Sequence, residues 1–238
     1  MATTSGTSSF NLDLSTLVEE AFERCGKEVR TGYDLRTARR SLNLLTIEWA
    51  NRGINLWTIE QGSIPLVQGV IEYDLPVDTI DLLDHVVRTG TAQNQTDINI
   101  SRISESTYIT IPNKNAQGRP IQVWINRQSG ATTPDGVQYP NINVWPAPDQ
   151  SNFYTFVYYR LRRIQDAGNG INTQDIPFRF LPAMVAGLAY YLSIKLPGAE
   201  GRIEMLKSDY EQQFQLAADE DREKASVRFV PRDSFCYM

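Results

Sequence analysis

Residue types that commonly perform catalysis are few in this chain, and their spacing does not favour catalysis. The single histidine, His85, lies in a segment predicted to be a β-strand. A catalytic triad needs a base held beside a nucleophile, and a zinc site usually needs several His or Cys ligands. The sequence has no Walker motif, no G-x-G-x-x-G pattern and no C-x-x-C pair. We therefore expect a structural or surface role for His85, and no catalytic residue, metal or cofactor.

Acidic residues occur in groups that resemble, in composition only, the carboxylates of a glycoside hydrolase. That reaction needs two carboxylates on either side of a cleft, with the pKa of one raised by burial. The groups are Glu19 with Glu20, Asp81 with Asp84, and Asp219 with Glu220 and Asp221. Their surroundings are typical of solvated faces, so we expect surface charges and no enzyme activity.

Two clusters of arginines are the remaining candidates for function. One contains Arg36, Arg39 and Arg40, and the other contains Arg160, Arg162 and Arg163. Such clusters either pair with carboxylates of the same or a neighbouring subunit or contact DNA phosphates. The net charge of −5 argues against a sequence-reading DNA-binding protein, although not against a conduit through which DNA slides. Because no aromatic residues interleave with the arginines along a groove, we favour ion pairs between subunits.

A helix predicted over residues 34–53 organises the chain. Asp34 is a capping residue for its start, and Gly53 is suited to end it in a left-handed conformation. An apolar stripe at three-four spacing runs along it through Leu35, Ala38, Leu42, Leu45 and Trp49. Leu44 and Ile47 lie off that stripe, so the helix is apolar on more than one side. We interpret Leu44 and Ile47 as part of a subunit interface.

Other helices are predicted at both ends of the chain, with strands between them. A helix over 13–25 precedes the central one, and helices over 182–195 and 199–225 follow the β region. Pro177 or Pro182 is suited to a first helical turn. Cys25 continues the stripe of the first helix as a small buried hydrophobe, and Cys25 and Cys236 are expected to be reduced thiols.

The β region alternates with period two. Strands are predicted over 54–59, 70–75, 83–88, 97–102, 121–126, 141–145 and 153–162, with one helical turn over 104–108. Short strands separated by turns favour an antiparallel sheet or small sandwich over βαβ units. The fold class is therefore α+β, a helical bundle from the two terminal helix pairs with an inserted antiparallel β domain.

The predicted helices and strands divide the chain into four parts. Residues 1–11 form a mobile N-terminus, 12–56 and 175–225 form the bundle, 57–174 form the β domain, and 226–238 form a docking tail. In the tail, Val227, Phe229 and Val230 are suited to adding a strand to a neighbour or filling a groove. No secretory signal and no membrane span are expected.

Several stretches together resemble the head-to-tail adaptor proteins of short-tailed phages, the class that includes the P22-type and T7-type adaptors. Order and spacing carry the resemblance, which covers about residues 12 to 225. The stretches are Ala38–Gln61 with Val70–Leu75, Arg102–Tyr108 with Ile111–Lys114 and Gly118–Pro120, Val123–Gln128 with Val144–Asp149, and Ile176–Pro182 with Gly187–Tyr190.

The resemblance implies a ring, expected to be twelvefold, docked beneath the portal in the virion after synthesis in the bacterial cytoplasm. The helices would form the ring wall, and the β domain and tail would contact the tail nozzle or tail tube protein, the portal or neighbouring subunits. Such a ring extends the channel for double-stranded DNA, retains packaged DNA and docks the tail. Two alternatives remain open at this stage, a tail-associated cell-wall hydrolase and a tail-tube subunit.

Overall fold

The computed structural model describes residues 4–30, 32–53, 56–90, 92–127 and 139–221. These residues form two compact units. The first contains 4–11, 15–41 and 178–221, and the second contains 12–14 and 42–177. The division falls inside the central helix, whose residues from 42 onward belong to the second unit. Across the described residues the fold is mixed α+β, with helices from both ends of the chain and a β region between them, which confirms the predicted fold class.

Helix α1 spans Leu14–Arg24 and helix α2 spans Gly32–Asn51. The predicted stripe of α1 is fully buried, and Gly26 follows it with a φ of 74°. Gly53 follows α2 with a φ of 79°, as predicted for its left-handed helix end. Helix α2 begins two residues before Asp34, so the predicted cap at this residue is wrong. Asp34 instead accepts a hydrogen bond from the backbone N–H of Arg30 at 3.2 Å from within the first turn.

Helices α4 (Leu181–Ser193) and α5 (Ile203–Glu220) complete the first unit. Pro182 occupies the first turn of α4, where its missing N–H leaves no hydrogen bond unmade. Helix α4 is buried along most of its length, and α5 buries Leu206, Tyr210, Phe214 and Ala217. Cys25 at the end of α1 contacts Ala189 of α4, and Arg24 of α1 pairs with Asp209 of α5, so helices from both ends of the chain form this one compact unit.

The second unit contains two four-stranded sheets that share one hydrophobic core. In the first sheet the order is β1 (Ile59–Pro65), β8 (Tyr154–Arg162), β3 (Thr79–Thr89) and β4 (Thr96–Asn99). In the second it is β2 (Glu72–Asp74), β7 (Asn141–Trp145), β6 (Gln122–Asn126) and β5 (Ser101–Ile103). Residues from β3, β6, β7 and β8 meet in the core, so the sheets form the predicted small sandwich.

Three details differ from the sequence prediction. Strand β1 begins only at Ile59, because residues 56–58 form a 3₁₀ turn. The single strand predicted over 97–102 is two strands, β4 and β5, which belong to different sheets on either side of the buried Ile100. Strands β5 and β6 are parallel, and the helix α3 (Glu105–Ile109), at the predicted helical turn, lies in their connection. The purely antiparallel arrangement is therefore wrong for this pair.

Candidate interaction surfaces

The outward face of helix α2 carries apolar side chains where a solvated helix normally carries polar ones. Leu42, Leu45 and Trp49 are fully buried, whereas the side chains of Leu44 and Ile47 are 53% and 45% exposed. The two exposed residues are three positions apart and so lie on one face of the helix. The structure thus places both residues off the buried stripe, as the sequence predicts.

Ile47 also lines a groove of about 330 Å³ within the second unit. The groove lies between the end of α2, the start of strand β3 and the two residues that follow strand β8. Its apolar walls are Ile47, Ala50, Ile80 and Ile164, and its polar rim is Thr46, Asn51 and Arg163. We call this surface the isoleucine groove. Ile80 and Ile164 were not predicted to belong to an interaction surface, because the groove joins segments far apart in the chain and neither residue breaks a local pattern.

The arginines on α2 lie in the first unit and are exposed. Arg36, Arg39 and Arg40 occupy the part of the helix that precedes the unit boundary. Arg40 donates a long hydrogen bond of 3.4 Å to the hydroxyl of Thr37, one turn earlier. Pairing of this cluster across subunits stays a prediction. The tail residues Val227, Phe229 and Val230, and Cys236, lie outside the described residues.

The second arginine cluster is occupied within the subunit, which corrects the expectation of ion pairs between subunits. Arg160 bonds to Glu60 at 2.8 Å and to Asp78 at 2.5 Å. Arg162 bonds to Glu60 at 2.6 Å and to Asp175 at 2.5 Å, and its side chain is only 10% exposed. The hydrogen bonds that Arg162 donates to Asp175 raise the pKa of Arg162 above its ordinary value. This network holds strands β1 and β8 and the segment after β8 together.

Three of the acidic residues that were predicted to lie on the surface form ion pairs with arginines. Asp81 accepts from Arg102 at 3.0 Å and from Arg127 at 3.1 Å, and Glu20 accepts from Arg24 at 3.0 Å. Asp221 differs from the prediction, because its side chain is only 2% exposed. It is paired with Arg179 and is not a solvated surface charge. Each of these carboxylates is thus held in a structural ion pair, and none pairs with a second carboxylate across a cleft.

His85 lies half-buried against the sandwich core, where its ring stacks on Phe156 with centroids 5.7 Å apart. Both imidazole nitrogens lack a hydrogen-bond partner among the described residues. Burial lowers its pKa, and the charge of Arg102 lowers it further while Asp84 acts in the opposite direction. Among the described residues, no group of three or more His, Cys, Asp or Glu side chains is placed to hold a metal ion.

Cys25 is the buried end of the α1 stripe, as predicted. Its thiol lies against α4, 3.2 Å from the backbone oxygen of Ala189. Burial raises the pKa of the thiol to about 11, so the reactive thiolate is not populated at neutral pH. Cys25 is therefore a packing residue. In the part of the chain that the structure describes, no helix has the length and apolarity required to cross a membrane.

These features define an α+β protein whose distinctive surfaces are apolar faces suited to macromolecular contact. The chain belongs to the SU10 adaptor protein family, whose family-level pattern matches residues 12–232. A comparison with curated individual proteins finds no match.

The family confirms the coarser part of the sequence-based resemblance, that of a phage adaptor protein. It is a structural family rather than an enzymatic one. Membership implies a place at the head-to-tail junction of a virion, with a portal and a tail as neighbours.

Proposed function

We propose that copies of this chain form a closed ring, expected to be twelvefold, beneath the phage portal. The ring extends the channel for double-stranded DNA, retains packaged DNA and gives the tail nozzle its docking surface, in the manner of the P22-type and T7-type adaptors. The helical part forms the ring wall. The β domain and the tail, with Val227, Phe229 and Val230, contact the nozzle, the portal or neighbouring subunits.

The exposed apolar face of α2 is the observation that carries this proposal. A heterologous ring joins one patch of each subunit to a different patch of the next, so each subunit needs two surfaces. Leu44 and Ile47 offer one, continuous with the isoleucine groove through Ile47. Covering the exposed halves of these two side chains would contribute on the order of 1 kcal/mol each, repeated at every subunit contact around the ring.

The charge of the chain suits passage of DNA rather than its capture. With a net charge of −5, the protein lacks the excess of cations that releases counterions from DNA and binds it tightly. A weakly interacting wall lets DNA move through the channel in either direction. The proposed retention of DNA therefore rests on closure of the channel by the assembled tail, not on phosphate binding.

Substitution of Leu44 by Asp tests the ring. Leu44→Asp places a charge on the exposed face of α2 without removing a buried side chain, so the subunit is expected to fold but not to assemble. Size-exclusion chromatography with light scattering, with and without portal protein, reports the mass. We expect a ring for the wild type and a monomer for the variant.

Ile171→Asp is the matched control, because Ile171 is 87% exposed and lies outside the isoleucine groove. It introduces the same charge in the same unit as Leu44 and should leave the ring intact. Normal assembly of Leu44→Asp would count against the interface, and a wild type that stays monomeric even with portal would overturn the ring.

A further inference from the structure

Strand β1 lies at an open edge of its sheet. Among the described residues it pairs on one side only, with β8. Its seven residues make it the longest of the four edge strands, since β4 has four residues and β2 and β5 have three each. Proteins usually keep an exposed edge short or place lysine on it, because a long edge accepts another strand. Strand β1 is long and contains no Lys or Arg, so its edge is suited to pairing.

The pairing register shows which backbone groups of β1 point away from β8. The N–H of Leu66 donates to the carbonyl oxygen of Tyr154, the residue that continues the register opposite it, at 2.8 Å. Since the two sides of an antiparallel strand alternate, every second residue of β1 bonds to β8 and the residues between them point their N–H and C=O groups outward. The outward residues are Ile59, Gln61, Ser63 and Pro65. Their outward groups have no hydrogen-bond partner in the part of the chain that the structure describes.

The two faces of β1 differ in polarity. Ile64 packs against the sandwich core, and the ring of Tyr158 lies beside Gly62 on the same face. The opposite face carries the exposed side chains of Gln61 and Ser63. A strand added beside β1 therefore needs apolar residues at alternate positions, with polar residues between them.

Residues 226–230 have the sequence pattern of such a strand. We call them the C-terminal segment. Val227 and Phe229 alternate with a serine and an arginine, and β-branched and aromatic residues favour strands. Pro231 follows directly, and a proline removes a donor from the ladder. Five residues with one apolar and one mostly polar side match the length and the two faces of β1.

The position of the C-terminal segment in the chain suits pairing with another copy. The described residues end at Asp221, one residue after α5, and residues 222–225 separate it from the segment. Fully extended, these four residues span at most about 14 Å, so the segment can reach a subunit packed close to the end of α5. Pairing of one β1 with a second β1 would be isologous and would stop at a dimer. Pairing of the C-terminal segment with β1 is heterologous and continues from copy to copy.

We propose that the C-terminal segment of one subunit adds a fifth strand beside β1 of the next subunit. Val227 and Phe229 cover the face that carries Gly62 and Ile64, and the outward backbone groups of β1 complete the ladder. This inference rests on the proposed ring, in which it names the donor segment and the acceptor edge of one contact between neighbours.

Photo-crosslinking in the full-length protein tests the pairing. The protein carries p-benzoylphenylalanine in place of Phe229, and copies labelled with heavy and light nitrogen are mixed before assembly with portal. After irradiation, mass spectrometry identifies the joined peptides. We expect the probe on the peptide that contains β1, with heavy segments joined to light β1 peptides. The same probe in place of Phe235, beyond Pro231, is the control and should give little of this product.

A proline on the acceptor edge supplies the matched pair of variants. Ser63→Pro removes an outward N–H and leaves the bonds from β1 to β8 in place, because position 63 points away from β8. It should lower the yield of the crosslinked product roughly tenfold, since the ladder loses a hydrogen bond and the ring blocks the edge. Ser63→Ala keeps the N–H and should crosslink as the wild type does. If Ser63→Pro misfolds by thermal unfolding, Arg228→Pro, which changes none of the described residues, gives the decisive yield.

The outcomes separate this inference from the proposed function. Crosslinks to β1 only within one copy, heavy with heavy and light with light, overturn the inference, because the segment then completes its own subunit. A ring whose probe reaches the portal or another part of the chain, and not β1, overturns the inference and leaves the ring standing. Crosslinks between copies in open oligomers, with no ring, support the strand pairing and refute the ring. Equal yields from Ser63→Pro and Ser63→Ala, both folded, also overturn the inference.

Discussion

At the scale of single residues, His85 shows how the pKa of a histidine can be shifted without a part in catalysis. Its ring packs on Phe156, and both nitrogens lack partners among the described residues. The folded protein therefore disfavours the charged imidazolium, and the pKa falls below its ordinary value of 6.5, chiefly through burial. Such a group links folding to pH even though it performs no chemistry.

The linkage has a definite sign. The unfolded chain binds a proton at His85 near pH 6.5, whereas the folded chain binds it only at lower pH. Stability is therefore fully present above about pH 6.5 and is lost as the pH falls from there through the folded-state pKa. We expect the free energy of unfolding, measured in urea, to decrease between pH 7 and pH 5.

His85→Phe should flatten this dependence, because phenylalanine keeps the stacking on Phe156 and cannot be protonated. His85 is the only histidine in the chain, so no other side chain with that ordinary pKa contributes. An equally steep loss of stability in the variant would show that the linkage arises elsewhere.

At the scale of elements, an ion-pair network fastens the end of β8. Arg160 and Arg162 emerge from one strand, Glu60 comes from β1, and Asp175 comes from the segment that follows β8. Burial alone would raise the pKa of Asp175. The hydrogen bonds from Arg162 and from the Gln165 N–H lower it below its ordinary value instead. The carboxylate is thus held in its charged form, and the segment is held against the strand.

We expect Asp175→Asn to destabilise the second unit by roughly 3 kcal/mol, because it leaves the nearly buried Arg162 short of one countercharge. Asp166→Asn is the matched control. It breaks the Arg163–Asp166 pair, whose side chains are 59% and 64% exposed, and should cost less than about 1 kcal/mol. Chemical denaturation measures both, and equal effects would argue against the importance of burial.

Local patterns predicted the helices well because their signals are local. The three-four stripe of α2 identified Leu42, Leu45 and Trp49 as buried and Leu44 and Ile47 as exposed, and a left-handed Gly53 marked its end. The alternation of polar and apolar residues located the strands. It did not identify which strands pair with one another. Nothing in residues 97–102 signals that Ile100 divides them between two sheets, or that β5 runs parallel to β6.

The candidate surfaces were predicted only where one element supplies them. Leu44 and Ile47 follow from the period of one helix. The isoleucine groove needs Ile80 and Ile164 brought beside that helix, and the loops at 66–71 and 146–153 are joined by hydrogen bonds such as that from Gly69 to Pro148. These juxtapositions depend on long-range pairing, which single-sequence patterns do not encode. For the same reason, the ion pairs of Arg160 and Arg162 were predicted to lie between subunits, whereas they lie within one subunit.

At the scale of the whole molecule, an assembly that buries the α2 face ties folding to protein concentration. A partner that binds only the folded subunit adds to its stability by mass action, and in a ring that partner is another copy. We therefore expect the midpoint temperature of unfolding of the wild type to rise as the protein is concentrated. Leu44→Asp should unfold at a temperature independent of concentration, and Ile171→Asp should behave as the wild type does. Scanning calorimetry over about a hundredfold range of concentration makes this comparison, for which mass action predicts about 2.7 kcal/mol per saturated contact.

A concentration-independent midpoint in the wild type, at concentrations where light scattering shows a ring, would mean that the subunit contacts break before the fold does. In that case the α2 face would serve assembly without contributing to the stability of the subunit.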